Sequence, residues 1–106
     1  MSWGNMQKRK PHHDLDAFKK AFLSVGRTRI TRSALRGSRA LGLSLAGMAE
    51  VVLSMSREQF YKSMTSKGDH TRWQDVYHVP WRGILLYVKL TEDRLTDFLL
   101  LSFKEK

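Results

Sequence analysis

The chain has 106 residues, enough for one domain, and 42% of them are hydrophobic, so a packed core is expected and wholesale disorder is not. Its net charge of +9 favours polyanionic partners, and residues 1–56 carry most of it, with ten Lys/Arg against three Asp/Glu, a net of +7. The absence of cysteine excludes disulfides and thiolate metal sites, and no apolar run reaches the roughly 18 residues that cross a bilayer, so we expect a cytoplasmic protein with no membrane partner.

The first half of the chain predicts three short helices. Residues 1–7 are polar and predict a flexible extension ahead of a domain that spans residues 8–106. Apolar side chains at three- and four-residue spacing predict one helix through about residue 25 and two more over 32–41 and 45–55. The predicted N-caps are Asp14, Thr31 and Ser44, whose side-chain oxygens can accept backbone N–H groups.

The second half changes to the period of a strand. Strands are predicted over residues 60–65, 74–79, 84–90 and 96–104, with a turn over 80–83 that contains proline and glycine. Helices followed by strands indicate an α+β fold with a mostly antiparallel sheet.

Alternation within these strands places one polar side chain of each on a common open face. The four polar residues are Lys62, Gln74, Tyr87 and Lys104. The same alternation predicts that Phe60 shares the face of Lys62 and that Phe98, Leu100 and Ser102 share the face of Lys104. An ordinary solvated sheet face is the alternative interpretation.

Basic and aromatic residues form two further patterns. Four arginines recur at intervals of 3, 4 and 3, which predicts a basic face on the second helix and the segment before it, suited to RNA phosphates, to an acidic protein or simply to solvent. They are Arg29, Arg32, Arg36 and Arg39. The stretch over residues 60–77 combines phosphate-binding groups with rings that can stack on bases. No spacing of histidine or carboxylate predicts a metal site, and no motif predicts a cofactor.

Seven sequence blocks, in one order, resemble the motility quorum-sensing regulator (MqsR) family of bacterial toxins. The blocks are KRKPH, TRSAL, GLSLAGM, FYKSMTS, DHTRWQDVY, YVKL and SFKEK. The resemblance covers residues 8–106. It implies a fold similar to RelE-type ribonucleases and ribosome-independent cleavage of single-stranded mRNA at GC-containing triplets, which inhibits translation and growth.

The resemblance also implies site residues and partners. The active-site positions of the family fall on Lys62, Gln74, Tyr87 and Lys104, and His70, which lies within a matching block, is expected to bind RNA. The implied partners are mRNA and an antitoxin with a zinc-bearing N-terminal domain and a helix-turn-helix C-terminal domain, through which any contact with DNA would be indirect.

Metal-free cleavage of RNA uses the 2′-hydroxyl as nucleophile and needs a proton acceptor, a proton donor and positive charge on the phosphate. We expect Lys62 and Lys104 to neutralise the phosphate, and Tyr87 to transfer a proton as acid or base or to position the substrate. Gln74 would hold a base edge or the phosphate, and Tyr61 or Trp73 would stack on a neighbouring base. For Trp73, core packing is the alternative role and the favoured one. A non-catalytic module that binds RNA or a protein partner is the competing hypothesis.

Overall fold

Six strands form one sheet and three helices pack on it in the computed structural model, which describes residues 6–106. The strands are β1 (Gln7–Lys8), β2 (Thr28–Ile30), β3 (Phe60–Ser66), β4 (Asp69–Trp81), β5 (Ile84–Glu92) and β6 (Phe98–Glu105). The helices are α1 (Leu15–Leu23), α2 (Arg32–Ala40) and α3 (Leu45–Ser54), followed by one 3₁₀ turn over Arg57–Gln59. The sheet order is β1-β3-β4-β5-β6-β2, and only β2 and β6 pair in parallel. The predicted α+β fold with a mostly antiparallel sheet is therefore confirmed.

The predicted helix starts are confirmed by hydrogen bonds. The side chains of Asp14, Thr31 and Ser44 each accept the backbone N–H of the residue three positions later, at 3.1, 3.1 and 3.2 Å. Each helix ends one or two residues before its predicted end, because the last apolar residue of the pattern lies at or beyond the C-cap. At the end of α3, for example, Met55 has extended backbone and still packs in the core.

The hydrophobic core lies between the helices and one face of the sheet. Phe18 of α1 and Met48, Val51 and Val52 of α3 are fully or almost fully buried there. The sheet contributes Tyr77, Val79, Leu86, Val88, Leu90, Leu100 and Phe103. These side chains alternate along β4 and β5, so the residues between them point to the opposite face.

Strand β4 is longer than predicted at both ends. The turn predicted over residues 80–83 is confined to Arg82 and Gly83, whose φ angles of 48° and 82° suit a two-residue hairpin loop of the I′ type. At its other end β4 begins at Asp69 rather than Gln74. The added residues are mostly polar, which hid the strand from a search for alternating apolar positions.

Strand β2 was not predicted, because three residues between two helices carry no recognisable period. It pairs with the edge of β6, and α2 then continues along the same edge. The close approach requires glycine at Gly37, where an added Cβ would lie 1.9 Å from the carbonyl oxygen of Phe103.

The chain pairs with the sheet from Met6 onward. Met6 donates its N–H to Thr65 Oγ1 and accepts the N–H of Thr65, both at 2.9 Å, and Gln7 lies opposite Met64. Of the predicted extension over residues 1–7, residues 1–5 lie outside the described residues, and the domain boundary at Lys8 stays a prediction. None of the helices in residues 6–106 is long and apolar enough to cross a membrane.

Candidate active site and nucleic-acid interface

The sheet face opposite the helices, here called the open face, carries the four polar residues that alternation singled out. Cross-strand pairing arranges its side chains in three rows. The first row holds His78, Tyr87 and Lys104; the second Lys62, Val76, Lys89 and Ser102; and the third Met64, Gln74 and Thr91. The structure therefore places Lys62, Gln74, Tyr87 and Lys104 on one face, although in three different rows.

Two β-bulges turn the predicted lysines onto this face. In β3, Phe60 pairs with Tyr77 on the core side and Lys62 pairs with Val76 on the open side, so Tyr61 is the extra residue. The prediction that Phe60 and Lys62 share a face is wrong for this reason.

The second bulge lies in β6. Leu100 pairs with Leu90 in the core, whereas Ser102 pairs with Lys89 on the open face, so Leu101 is the extra residue. Phe98 and Leu100 pack in the core and do not share the face of Lys104, which corrects the predicted alternation. Both errors have one cause, since a bulge shifts the alternation by one residue and depends on the partner strand.

Three rings cross the open face in contact with one another. Tyr61 stacks on His78 with ring centroids 4.3 Å apart and an interplanar angle of 21°, and His78 lies 6.1 Å from Tyr87 at 40°. Lys62 Nζ lies 5.5 Å from the Tyr61 ring centre, and Lys104 Nζ lies 5.5 Å from that of Tyr87. This ring ladder of Tyr61, His78 and Tyr87 is thus flanked by an ammonium group at each end.

Three lysines converge beside the ring ladder. Lys89 is partly buried, and its pKa lies below the ordinary value, first because burial disfavours its charge and then because Lys104 and Lys62 repel it. Val76, between Lys62 and Lys89 in the second row, is fully buried although it lies outside the core cluster, so neighbouring side chains on the open face shield it from solvent. Lys89 and the two ammonium groups that repel it form a site that favours an anion such as phosphate.

The proton-transfer groups on this face have shifted pKa values. Burial, followed by the nearby Tyr61, raises the pKa of Tyr87 above its ordinary value, so its hydroxyl keeps its proton at neutral pH. Burial, followed by the positive charge of Lys106, lowers the pKa of His78, so its imidazole is neutral at the same pH. Tyr87 can therefore donate a proton, and His78 can accept one.

Gln74 lies farther away. It is opposite Met64 and four positions along β4 from His78, about 13 Å at the rise of an extended strand. That span corresponds to roughly two extended nucleotides. Gln74 can contact a substrate that lies along the face, but it does not meet Tyr87 directly.

A cavity of about 360 Å³ adjoins the open face between β1 and β3. It is lined by Gln7, Lys8, Arg9, Tyr61 and Lys62. Tyr61 is about half exposed, at 53%. Arg9 and Lys62 thus line the cavity beside an exposed ring, a combination that suits a nucleotide, whereas the ammonium group of Lys8 lies over the Trp73 ring.

Two predicted RNA-binding residues lie elsewhere. Trp73 lies on the helical side of β4. There its ring stacks on that of His12, with centroids 5.6 Å apart, and its centre lies 4.2 Å from Lys8 Nζ. His70 is exposed near the β3–β4 turn, at the far end of β4 from His78. The structure brings neither residue to the ring ladder, and their predicted roles remain predictions.

The four arginines divide between two elements. Arg32, Arg36 and Arg39 are exposed on α2, which lies along the edge of β6 close to Lys104. Arg29 instead belongs to β2 and forms an ion pair with Asp93 at 3.5 Å. The basic face therefore consists of the three helical arginines and extends the positive surface beyond Lys104.

From the sequence, no role was assigned to two residues of the open face, His78 and Lys89. Strand alternation alone places both on this face, since His78 lies an even number of residues from Gln74 and Lys89 lies two residues from Tyr87. Among residues 6–106, no three or more metal-ligating side chains are grouped so that they could hold an ion.

Comparison with known proteins adds two findings. A family model described as motility quorum-sensing regulator, toxin of MqsA, matches residues 10–105. The curated mRNA interferase toxin MqsR of Escherichia coli (strain K12) is 46% identical over 101 residues, which cover 95% of this chain and 100% of that relative.

Proposed function

The chain belongs to the motility quorum-sensing regulator (MqsR) family of toxins, and from this we propose that it is an mRNA endoribonuclease, the toxin of a toxin–antitoxin pair. The observation that carries the proposal is the ring ladder on the open face, flanked by Lys62 and Lys104. Aromatic rings beside ammonium groups suit bases beside a phosphate.

The proposed reaction is attack of the 2′-hydroxyl on the adjacent phosphorus. It leaves a 2′,3′-cyclic phosphate and a 5′-hydroxyl, needs no metal ion, and spares DNA because DNA lacks the nucleophile. We further propose that the enzyme cleaves single-stranded mRNA without the ribosome, at GC-containing triplets, and thereby inhibits translation and growth. Its architecture would then be related to that of RelE-type ribonucleases.

Each open-face residue has a role in this proposal. Lys62 and Lys104 bind the scissile phosphate and stabilise the charge that develops on it, with Lys89 adding to the same field. Tyr87 donates the proton that the departing 5′-oxygen takes up, which its raised pKa favours over a role as base. Gln74 contacts a neighbouring nucleotide, and Tyr61 stacks on a base.

The basic face of α2 supplies a path for the RNA beyond the reacting phosphate. Three arginines of α2 are exposed: Arg32, Arg36 and Arg39. The helix approaches β6 at Phe103 and Lys104. A strand that crosses the ring ladder toward β6 would therefore meet further positive charge. An acidic surface of a protein partner could use the same arginines.

We propose an antitoxin as the protein partner, with a zinc-bearing N-terminal domain and a helix-turn-helix C-terminal domain. Any DNA contact would then be made through the antitoxin, and the toxin would act in the cytoplasm. Growth arrest on induction, relieved by co-expression of the neighbouring open reading frame, is the expected outcome.

The experiment is an assay on a synthetic single-stranded RNA. We expect the wild type to cleave it and a Lys62→Ala/Tyr87→Phe/Lys104→Ala variant to be at least about 1,000-fold slower. Lys20→Ala on α1 is the matched control, since it removes one ammonium group from the helical side.

A triple variant that cuts as fast as wild type would show that the open face is not the active site. Wild-type protein that shifts the RNA on a gel without cutting it would favour the competing function, a non-catalytic RNA-binding module.

A further inference from the structure

We propose that His78 is a catalytic residue, the general base that removes the 2′-hydroxyl proton, an assignment that rests on the proposed ribonuclease function. His78 lies at the centre of the open face, directly opposite Tyr87, which in turn lies opposite Lys104. A proton acceptor, a proton donor and a phosphate-binding ammonium group therefore stand side by side on three neighbouring strands.

The ring of His78 is held by packing while its nitrogens stay available. Tyr61 stacks on it at 4.3 Å and Tyr87 packs beside it at 6.1 Å, so the imidazole plane is fixed on the sheet. Within residues 6–106 neither ring nitrogen makes a hydrogen bond to a protein group, and the side chain is only partly buried. A base that must reach the 2′-hydroxyl needs this combination of a fixed ring and a free nitrogen.

The charged groups around His78 keep its imidazole neutral. Tyr61 and Lys62 face it from β3, and Tyr87 and Lys89 from β5. From the C-terminal strand come Lys104 and Lys106. Burial and the charge of Lys106 lower the pKa of His78, and none of these facing groups is a carboxylate that would raise it.

The step balances with the groups on the open face. The imidazole of His78 takes the 2′-hydroxyl proton as the 2′-oxygen bonds to phosphorus, and the bond from phosphorus to the 5′-oxygen breaks. The 5′-oxygen takes the phenolic proton of Tyr87. The products are a 2′,3′-cyclic phosphate and a 5′-hydroxyl, and a proton passes from the imidazolium to the phenolate, directly or through water, to restore both groups.

The test is the pH dependence of single-turnover cleavage between pH 5 and 9. For the wild type the rate should rise with pH to a plateau, with a midpoint below 6.5, because only the neutral imidazole accepts a proton. His78→Gln, which keeps a planar polar group but cannot take up a proton, should be about 100-fold slower or more on the plateau and should lose the rising limb. Tyr87→Phe should be slower but keep that limb.

Two further measurements separate chemistry from folding and binding. Thermal unfolding of His78→Gln should match wild type within a few degrees, and its affinity for an RNA with 2′-deoxyribose at the cleaved position should stay within about threefold. His78→Gln that keeps the rising limb, whether slowed or not, would overturn the assignment, since His78 would then only space the rings. Wild type that does not cleave RNA at any pH would instead overturn the proposed function.

Discussion

The two faces of the sheet carry different kinds of side chain, even where both come from the same strand. On β4, Asp75, Tyr77 and Val79 point toward the helices and are at most 1% exposed. Gln74 and His78 face the open side and remain partly exposed, whereas Val76 faces the same side and is buried. One phase of the alternation therefore builds the core, and the other presents the groups that we assign to RNA cleavage.

Charge separates in the same way. The buried carboxylate of Asp75 lies on the helical side, where it accepts the N–H of His12 at 3.1 Å, the N–H of His13 at 2.8 Å and the Ser63 hydroxyl at 2.6 Å. The converging lysines all lie on the open face. A carboxylate among those lysines would neutralise a field that suits phosphate, whereas on the helical side Asp75 fastens the segment before α1 to the sheet.

The largest effect on activity should come from the open face. Lys104→Ala should lower the cleavage rate by about 100- to 1,000-fold, as expected for loss of one preorganised charge at the phosphate. Its midpoint of thermal unfolding should stay close to wild type, because Lys104 is exposed. Single-turnover assays with Lys20→Ala as control measure the difference, and an equal loss in both variants would remove the distinction between the faces.

The helical face should respond in stability instead. Asp75→Ala should lower the free energy of unfolding by about 2–3 kcal/mol, because three donors lose a charged acceptor in a buried setting. Urea unfolding measures this change. The cleavage rate per folded molecule should fall by less than about tenfold, and a larger loss with unchanged stability would assign Asp75 to the chemistry.

The charge of Lys89 should lower the stability of the folded protein. Lys89→Met should raise the unfolding midpoint in low salt at neutral pH, since it removes a partly buried charge that Lys104 and Lys62 repel. Because the folded-state pKa of Lys89 is lowered, the wild type should gain stability as pH rises from that lowered pKa toward about 10.5, and the variant should lose this gain.

Added inorganic phosphate tests whether Lys89 belongs to the anion site. It should raise the unfolding midpoint of the wild type more than that of Lys89→Met, because the anion relieves repulsion among three lysines in one protein and two in the other. An equal shift in both proteins would show that Lys89 does not belong to the anion site.

The smallest effect should come from the cavity beside β1. Arg9→Ala should weaken binding of uncleaved RNA by a few fold, and should lower the salt dependence of binding by about one phosphate contact. Anisotropy titrations at several salt concentrations measure both. A loss of cleavage rate at saturating RNA would move Arg9 from binding to chemistry.

Local features of this protein could be read from its sequence, and features that need a partner strand could not. The caps at Asp14, Thr31 and Ser44 depend on three neighbouring residues and were predicted. The bulges at Tyr61 and Leu101 depend on the register with β4 and β5, so alternation placed Phe60 and Leu100 on the wrong face. Strand β2 exists only because β6 offers it an edge.

The sequence predicted part of the candidate site, and the rest depends on strand pairing. The residues Lys62, Gln74, Tyr87 and Lys104 could be named from alternation and from the family resemblance, and the structure places them on one face. His78 directly follows the matching block that ends at Tyr77, and it acquires its neighbours Tyr61 and Tyr87 only through the pairing of β3, β4 and β5. Its proposed role could not be read from either source.

The most direct test of the account compares two substrates that differ by one oxygen atom. Wild-type protein, in chelator and without divalent metal, is given an RNA and the same RNA with a single 2′-deoxyribose at the cleaved position. We expect only the all-ribose strand to be cut, leaving a 2′,3′-cyclic phosphate and a 5′-hydroxyl. Cleavage of the 2′-deoxy strand, or cleavage that requires added divalent metal, would contradict that expectation.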